Sequence, residues 1–254
     1  MRSYAQYCPI AKASEIVGDR WTLLIVRELL GGASGFNELQ RGLPGISRSV
    51  LTDRLRSLER TEIVERRTGP KGRTLEYRLT PAGRDLEAVV QAIGEWGVTW
   101  SFTDPRPEEL DPDLLIVWMA RHLDREQLPA DRTVVQFDFR GPAKRYWMVL
   151  EPSEVSVCLQ HPGFDVDLEV RVDTATLYRV YLGRAELGGA MRARKLTMSG
   201  AQALQRAFGR WFAWSAFAPA SRQADERRRA ASRLAGPERV RVDQPLPANP
   251  RSSA

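Results

Sequence analysis

The chain has 254 residues with 38 Lys+Arg against 32 Asp+Glu, and its 43% hydrophobic residues exclude a largely disordered protein. No apolar run approaches the ~18 residues of a membrane span, and residues 1–6 lack the apolar block of a secretory signal, so we expect a cytoplasmic protein without membrane association. Two distant cysteines and two histidines leave no disulfide framework, CxxC zinc site or HExxH motif, and we predict neither a metal nor a cofactor.

The basic excess lies mainly in one part of the chain. Residues 41–78 carry ten basic and five acidic side chains, whereas residues 101–218 carry 15 and 16 and are nearly neutral. A local excess of this size favours an anionic partner, although a solvated charged surface would have the same composition.

Changes in composition along the chain predict its organisation. Two prolines at 103–109 indicate a linker, and after residue 217 the sequence turns to Arg, Ala, Pro and Ser with few aromatic residues. We therefore predict a first domain at residues 1–102, a linker at 103–109, a second domain at 110–217 and a disordered tail at 218–254.

The first domain begins with a succession of helices. An apolar face at residues 21, 24, 25 and 29 predicts a helix over 21–30 that ends at two glycines. A short second helix is predicted at 36–40. Ser47 is placed to cap a third helix, in which Leu51, Leu55 and Leu58 share one side.

The face of this third helix opposite its leucines carries side chains suited to DNA. Arginine and short hydroxyl side chains can contact base edges in a major groove, while arginines at the margins contact phosphates. An amphipathic helix with a charged exterior would show the same pattern. The candidate DNA-binding residues of this helix are Ser47, Arg48, Ser49, Thr52, Asp53, Arg54 and Arg56, with Arg60 on the same face.

Two β-strand segments are predicted next, at 63–67 and 74–79, around a basic turn that contains Lys71 and Arg73. Helix, turn, capped helix and basic hairpin in this order are typical of a winged helix-turn-helix, whose wing reaches a flanking groove or the DNA backbone. Lys71 and Arg73 are therefore candidate DNA-binding residues as well.

Thr80 and Pro81 carry the signals of a new helix, a capping threonine followed by proline in the first turn. The apolar stripe of this helix, from Leu86 to Trp100, is longer than a small domain needs. It predicts a homodimer formed through this helix, with packing inside one chain as the alternative.

Several motifs of the first domain together resemble the HxlR-type winged-helix transcriptional regulators of bacteria, relatives of the MarR group. The resemblance implies a dimeric DNA-binding regulator acting on double-stranded DNA at a palindromic promoter site. It covers residues 4–100 and rests on Cys8-Pro9, GDRWTLLI at 18–25, FNEL at 36–39, LPGIS at 43–47, LTDRL at 51–55 and EYRLTPAG at 76–83.

The same resemblance singles out one cysteine. Some members of the family use a cysteine beside a proline near the N-terminus as a redox or electrophile sensor, and Cys8 matches that position. Cys8 is therefore a candidate redox sensor, although a reactive thiol needs a depressed pKa and a packed structural cysteine is the alternative.

The second domain alternates predicted strands and helices, which gives the chain an α+β fold class. Its order of elements resembles sterol carrier-like domains, which hold lipophilic molecules between sheet and helices. The predicted elements are a helix capped by Asp111, strands at 133–139, 145–150, 154–159 and 164–170, a helix capped by Asp173, a strand at 195–198 and a last helix through Phe212.

The aromatic residues of this domain suggest a candidate pocket for an apolar small-molecule effector, with a solid core as the alternative. Its predicted lining is Trp118, Trp147, Leu177, Tyr181, Phe208 and Trp211. We predict a transcriptional regulator modulated by such an effector. The alternative is a lipophilic-ligand carrier or an enzyme whose first domain serves assembly only. No GxSxG, Walker or GxGxxG motif occurs, so we assign no catalytic residue and expect no enzyme.

Overall fold

A computed structural model describes residues 3–68, 75–101, 103–141 and 143–235. It confirms the α+β fold class, and the buried hydrophobic residues form two large clusters. One cluster lies between Ile25 and Leu79, and the other between Leu115 and Phe212. Each half of the chain therefore has a core of its own.

The first half consists mainly of helices with one hairpin, as predicted. Leu51, Leu55 and Leu58 are buried on one side of their helix, which confirms the spacing argument. The two strands pair in antiparallel fashion, from Val64 opposite Leu79 to Thr68 opposite Leu75. The elements are α1 (Pro9–Val17), α2 (Thr22–Leu30), α3 (Phe36–Gly42), α4 (Arg48–Arg60), β1 (Val64–Thr68), β2 (Leu75–Leu79), α5 (Pro81–Asp85) and α6 (Glu87–Trp100).

Three details of this half differ from the sequence predictions. The helix α1 was not predicted, and Leu24, which we placed on the buried face of α2, lies on the surface while Val26 is buried. The predicted helix from Pro81 is divided at Leu86. Thr80 still caps its start, accepting a hydrogen bond from the backbone N–H of Gly83 at 3.1 Å.

The second half is a five-stranded sheet in the order β5-β4-β3-β6-β7 with helices packed on it. The strands β3 and β6 are parallel, and the other neighbouring pairs are antiparallel. Its elements are α7 (Pro112–Arg121), β3 (Thr133–Arg140), β4 (Lys144–Leu150), β5 (Val155–Cys158), β6 (Leu168–Asp173), α8 (Thr174–Tyr181), α9 (Leu187–Arg192), β7 (Leu196–Gly200) and α10 (Gln202–Ala207).

Two predicted elements of this half have different bounds. The strand expected from Phe164 begins only at Leu168. Just before it, the Asp167 carboxylate accepts from the N–H of Val134 near the start of β3 at 2.8 Å, and the N–H of Asp167 donates to the Val134 carbonyl at 3.0 Å. The last helix gives way at Phe208 to a 3-10 turn. Since such a turn has three residues per revolution, Phe208 and Trp211 still face the core together.

The prediction of a disordered tail at 218–254 is wrong for residues 218–235. A further helix, α11 (Ala218–Ala235), continues the chain for 18 residues. Alanine and arginine favour a helix, and Ala218, Ser221 and Ala224 recur on one face that is buried. This helix packs on α6. The rest of the predicted tail, residues 236–254, lies outside the described residues.

In the part of the chain that the structure describes, no helix is both long and apolar enough to cross a membrane. The same residues contain no group of three or more His, Cys, Asp or Glu side chains placed to hold a metal ion.

Candidate functional site

The helix pair α3–α4 and the short turn between them present one charged face to solvent. Gly45 in the turn has φ +85°, a left-handed conformation that glycine adopts without strain. Ser47 then caps α4, its hydroxyl accepting from the N–H of Val50 at 3.2 Å. The buried leucines of α4 fix its rotation, so that its opposite side faces outward.

The start of α3 is held by a carboxylate. Glu38 accepts from the backbone N–H groups of Ser34 at 2.9 Å and Gly35 at 3.1 Å. Burial raises the pKa of the Glu38 carboxyl, but these two hydrogen bonds outweigh it and hold the pKa below its ordinary value. The glycine-rich segment before α3 is therefore a capping turn.

Among the candidate arginines of α4, Arg56 is far more accessible than Arg54. Its side chain is 71% exposed, and its nearest acidic partner, Asp53, is 3.9 Å away and also exposed. An exposed pair at this distance contributes little energy, so Arg56 can turn to another partner at small cost. Ser47, Ser49 and Arg60 are exposed on the same helix.

The candidates at the margins are held by neighbouring helices. Arg48 donates to Gln40 at 3.1 Å, and its guanidinium lies 4.8 Å from the centre of the Phe36 ring. Arg54 forms an ion pair with Asp19. Thr52 donates its hydroxyl to the Arg48 carbonyl at 2.8 Å, so its donor is already used within the helix.

The hairpin adds basic side chains that the sequence analysis did not assign to the site. Arg66 and Arg67 on β1 and Arg78 on β2 are at least half exposed. Because side chains alternate along a strand, the apolar Val64 and Leu79 could have identified Arg67 and Arg78 as outward-facing, whereas Arg66 shares the face of Val64. Lys71 and Arg73, the predicted wing-tip residues, lie outside the described residues.

The helix α6 has an apolar stripe on its outer surface. Trp96 is 62% exposed and Trp100 is 73% exposed, and Val89 and Ile93 are exposed on the same side at helical spacing. The opposite side of α6 packs inward, where the Phe217 ring lies against Gly94 so closely that a Cβ there would be 2.2 Å from it. Packing inside one chain therefore covers only one side of α6.

Four of the six predicted pocket residues lie in the packed interior of the second half. Leu177, Phe208 and Trp211 are completely or almost completely buried in the main core, where the Phe208 ring lies 6.1 Å from that of Phe137. Trp147 belongs to a separate small cluster with Val134 and Val149. Three of these four residues therefore pack in the main core, and the fourth packs in a separate cluster.

A cleft of about 690 Å³ lies instead between the two halves of the chain. Trp118 and Tyr181, the other two predicted pocket residues, form part of its wall, with their rings stacked at 6.3 Å between centres. Gln91 and Val98 of α6 line the facing side. The cleft thus takes one wall from each half of the chain.

Comparison with protein families divides the chain in the same way. Residues 16–104 match the sequence profile described as HxlR-like helix-turn-helix, and residues 121–212 match the SCP-2 sterol transfer family. The HTH-type transcriptional regulator YvaP of Bacillus subtilis is 37% identical over 105 residues, which are 39% of this chain and 97% of YvaP. The chain belongs to the HxlR-like helix-turn-helix family.

Two other similar proteins were found. The HTH-type transcriptional regulator Rv3095 of Mycobacterium tuberculosis is 43% identical over 102 residues, which are 39% of this chain. The chain spans 61% of the length of that regulator. Among solved structures, reduced YodB from Bacillus subtilis has 35% identity and a TM-score of 0.34, covering 38% of this chain and 96% of that one.

Cys8 lies directly before α1 and ahead of the residues that match the HxlR-like profile. Its thiol is not in a disulfide, and the residue is partly exposed. Cys8 occupies the capping position of α1, where its side chain makes no capping hydrogen bond.

The HxlR-like and SCP-2 domains are joined by a buried ionic cluster beside the cleft. Glu28 of α2 is only 2% exposed, and its two oxygens accept from Arg27 and from Arg121 of α7, each at 2.7 Å. Arg27 also donates to the Gly42 carbonyl at 3.2 Å and lies 5.2 Å from the Trp118 ring centre. Removing any member would leave a buried charge without its full set of partners.

Proposed function

We propose that the chain is a transcriptional regulator that binds double-stranded DNA as a dimer at a palindromic promoter site. The observation that carries this proposal is the outer face of α4, where Arg56 is exposed and weakly paired while the leucines on the opposite side are buried. The relatives named as HTH-type transcriptional regulators support it.

In the proposed complex α4 enters the major groove. Arg56 donates to the edge of a guanine, Asp53 accepts from a cytosine amino group, and Ser49 contacts either base. Arg48 and Arg54, held at the margins by their intrachain partners, contact phosphates and set the position of the helix. Ser47 and Thr52 border this surface, and Lys71 and Arg73 contact the flanking backbone from the wing.

The dimer uses the exposed stripe of α6. Two tryptophans and two aliphatic residues along about three turns of one helix are costly to leave in water, and a second copy of the same stripe covers them symmetrically. A two-fold dimer places two copies of α4 about 34 Å apart, one turn of DNA, which matches the two halves of a palindrome.

Thiol-based control through Cys8 is a second part of the proposal, supported by its partly exposed thiol that is in no disulfide. Diamide treatment should change the DNA affinity of the wild type and leave that of Cys8→Ser unchanged. The alternative of a lipid carrier has less support, because Leu177, Phe208 and Trp211 are almost completely buried among the core residues of the SCP-2 domain.

The test is binding of the purified full chain to the promoter fragment of its own gene, with unrelated DNA as competitor, over a series of salt concentrations. Specific binding should survive the competitor and lose about 10³-fold or more between 50 and 200 mM salt if six or more phosphates are contacted. Equal affinity for promoter and competitor at every salt concentration would contradict the proposal.

A further inference from the structure

We propose that the cleft between the HxlR-like and SCP-2 domains binds an apolar carboxylic acid, and that this ligand weakens DNA binding. The binding site stands on the geometry of the cleft alone, whereas its regulatory consequence rests on the proposed function. The volume of the cleft, about 690 Å³, is within the range of small-molecule sites, which is about 300–1,000 Å³.

One wall of the cleft is suited to an apolar body. Trp118 stacks on Tyr181 and meets the edge of Tyr178 at 6.5 Å between ring centres, and all three residues line the cleft. Val98 and Phe217 face them from the other side. A cleft lined by large aromatic side chains buries most of a ligand's apolar area.

The polar end of the cleft has a positive balance. Two guanidiniums, Arg27 and Arg121, surround the single buried carboxylate of Glu28. Arg27 uses its Nε and Nη2 for Glu28 and Gly42, and Arg121 uses its Nη1 for Glu28, so each retains donors for a further acceptor. A carboxylate is the acceptor that this arrangement of arginines binds best.

The other charged groups at the cleft largely have partners of their own. Glu109 accepts from Arg106 at 2.7 Å, and Arg179 lies 3.5 Å from Asp104. Arg184 is paired with Asp225, and Glu87 lies exposed in the first turn of α6. Arg27 and Arg121 therefore determine where a ligand's negative charge lies.

Tyr181 provides a further donor. The Nδ1 of His122 lies 2.8 Å from the Trp118 carbonyl, and because a carbonyl can only accept, this nitrogen carries the proton. The Tyr181 hydroxyl, 3.4 Å from the same nitrogen, can then only accept from it, and its own proton is available to a ligand. Burial raises the pKa of Tyr181, so the hydroxyl stays protonated at neutral pH.

The contacts of Arg27 connect the cleft to the DNA-binding helices. Its Nη2 holds the carbonyl of Gly42, the last residue of α3, and a ligand carboxylate bound to the remaining Nη1 would pull on the same guanidinium. The facing wall belongs to α6, whose outer side carries the proposed dimer stripe. In the DNA-binding conformation these contacts are as described, and in a second conformation they are displaced. A ligand that binds the displaced conformation more tightly lowers DNA affinity by the difference between its affinities for the two conformations.

The experiment is isothermal titration of the full chain with 2-naphthoate and decanoate, each compared with its neutral amide. We expect one site per chain and at least ten-fold weaker binding of the amides. Arg121→Gln should weaken the acids at least ten-fold and the amides much less. Gln91→Trp should weaken both acids and amides by narrowing the cleft, and Arg206→Gln, an exposed arginine outside the cleft, should change nothing.

The proposal is overturned if neither acid binds the folded wild type at millimolar concentration, if acids and amides bind equally, or if Gln91→Trp binds like the wild type. The amide comparison and Gln91→Trp remain decisive should Arg121→Gln fail to fold. A promoter fragment supplies the second readout, with the acid lowering DNA affinity at least about five-fold. Acid binding without any DNA binding would contradict the proposed function and leave the site standing, whereas DNA binding unchanged by bound acid would overturn the coupling.

Discussion

The guanidinium of Arg121 in the SCP-2 domain lies 2.7 Å from the carboxylate of Glu28 in the HxlR-like domain, and Glu28 is almost completely buried. Ninety-three positions separate the two residues along the chain. The pair therefore stabilises the arrangement of the two domains as well as the local fold, since neither domain can move without exposing or stranding the Glu28 charge.

Removing one partner of this pair should be costly. We expect Arg121→Met to lower the free energy of unfolding by about 3 kcal/mol, at the lower end of the range for a broken buried pair because Arg27 still contacts Glu28. The double variant Glu28→Gln/Arg121→Met should lose less free energy of unfolding than the losses of Glu28→Gln and Arg121→Met added together, by at least about 1 kcal/mol. Urea denaturation measures this cycle, and strictly additive losses would show that the two side chains are not coupled.

The exposed stripe of α6 gives a prediction for assembly. Trp96→Glu places a charge in the centre of the proposed interface, and we expect it to convert the dimer into a monomer, because a buried unpaired charge costs several kcal/mol. Ala88→Glu adds the same charge to an exposed position on another side of α6 and should leave the dimer intact. Sedimentation equilibrium distinguishes the two, and a monomeric wild type would remove this interface.

The docking of α11 should depend on pH. Burial raises the pKa of the Asp225 carboxyl, but hydrogen bonds from Arg228 and Arg184 outweigh it and leave the pKa below its ordinary value of 3.8. A carboxyl with a lowered folded pKa adds stability above its unfolded pKa, and this contribution is lost as the pH falls through the folded value. We expect Asp225→Asn to be less stable than the wild type at pH 7, with the difference shrinking as the pH falls below the ordinary value of 3.8.

Hydrogen exchange of α11 in the two proteins measures this difference. Faster exchange in Asp225→Asn at pH 7, converging with the wild type in acid, is the expected result. A difference between the two proteins that persists unchanged at pH 2.5 would exclude the carboxylate as its source.

Ser221 on α11 offers a substitution that should stabilise the protein. Its hydroxyl oxygen is buried, and within the described residues it finds no hydrogen-bond partner. An unpaired buried polar group costs about 1–3 kcal/mol, and alanine also favours a helix. We expect Ser221→Ala to raise the free energy of unfolding by about 1 kcal/mol, while Ser221→Val, which adds volume, should lower it. A loss of stability in Ser221→Ala would indicate a partner for the hydroxyl.

Local patterns predicted the HxlR-like domain well. The leucines of α4 recur at helical spacing, Ser47 precedes them as a cap, and each signal depends only on residues a few positions apart. The same reasoning located the caps at Asp111 and Asp173 in the SCP-2 domain. Such elements can be predicted because the cap and the spacing of the apolar residues both lie within one short segment, and tertiary packing later buries those apolar residues.

Features that need distant partners were missed. Glu28 looks like any helix glutamate until Arg121 is brought against it, and the cleft beside them has walls from both domains. Aromatic residues suit a cavity and a solid core equally, so the sequence alone does not place Phe208 and Trp211 in the packed core where they lie. The helix α11 has a composition that would be disordered alone, and α6 supplies the surface against which it folds.

The central claim is that the outer face of α4 contacts the bases of the promoter, and the most direct measurement compares Arg56→Ala with Arg206→Ala in binding to promoter and competitor DNA. Both arginines are exposed, so neither substitution should change stability by more than about 0.5 kcal/mol. The account predicts that Arg56→Ala loses about 1–3 kcal/mol of affinity for the promoter and much of its preference over competitor, while Arg206→Ala binds like the wild type. Unchanged tight and specific binding in Arg56→Ala would contradict it.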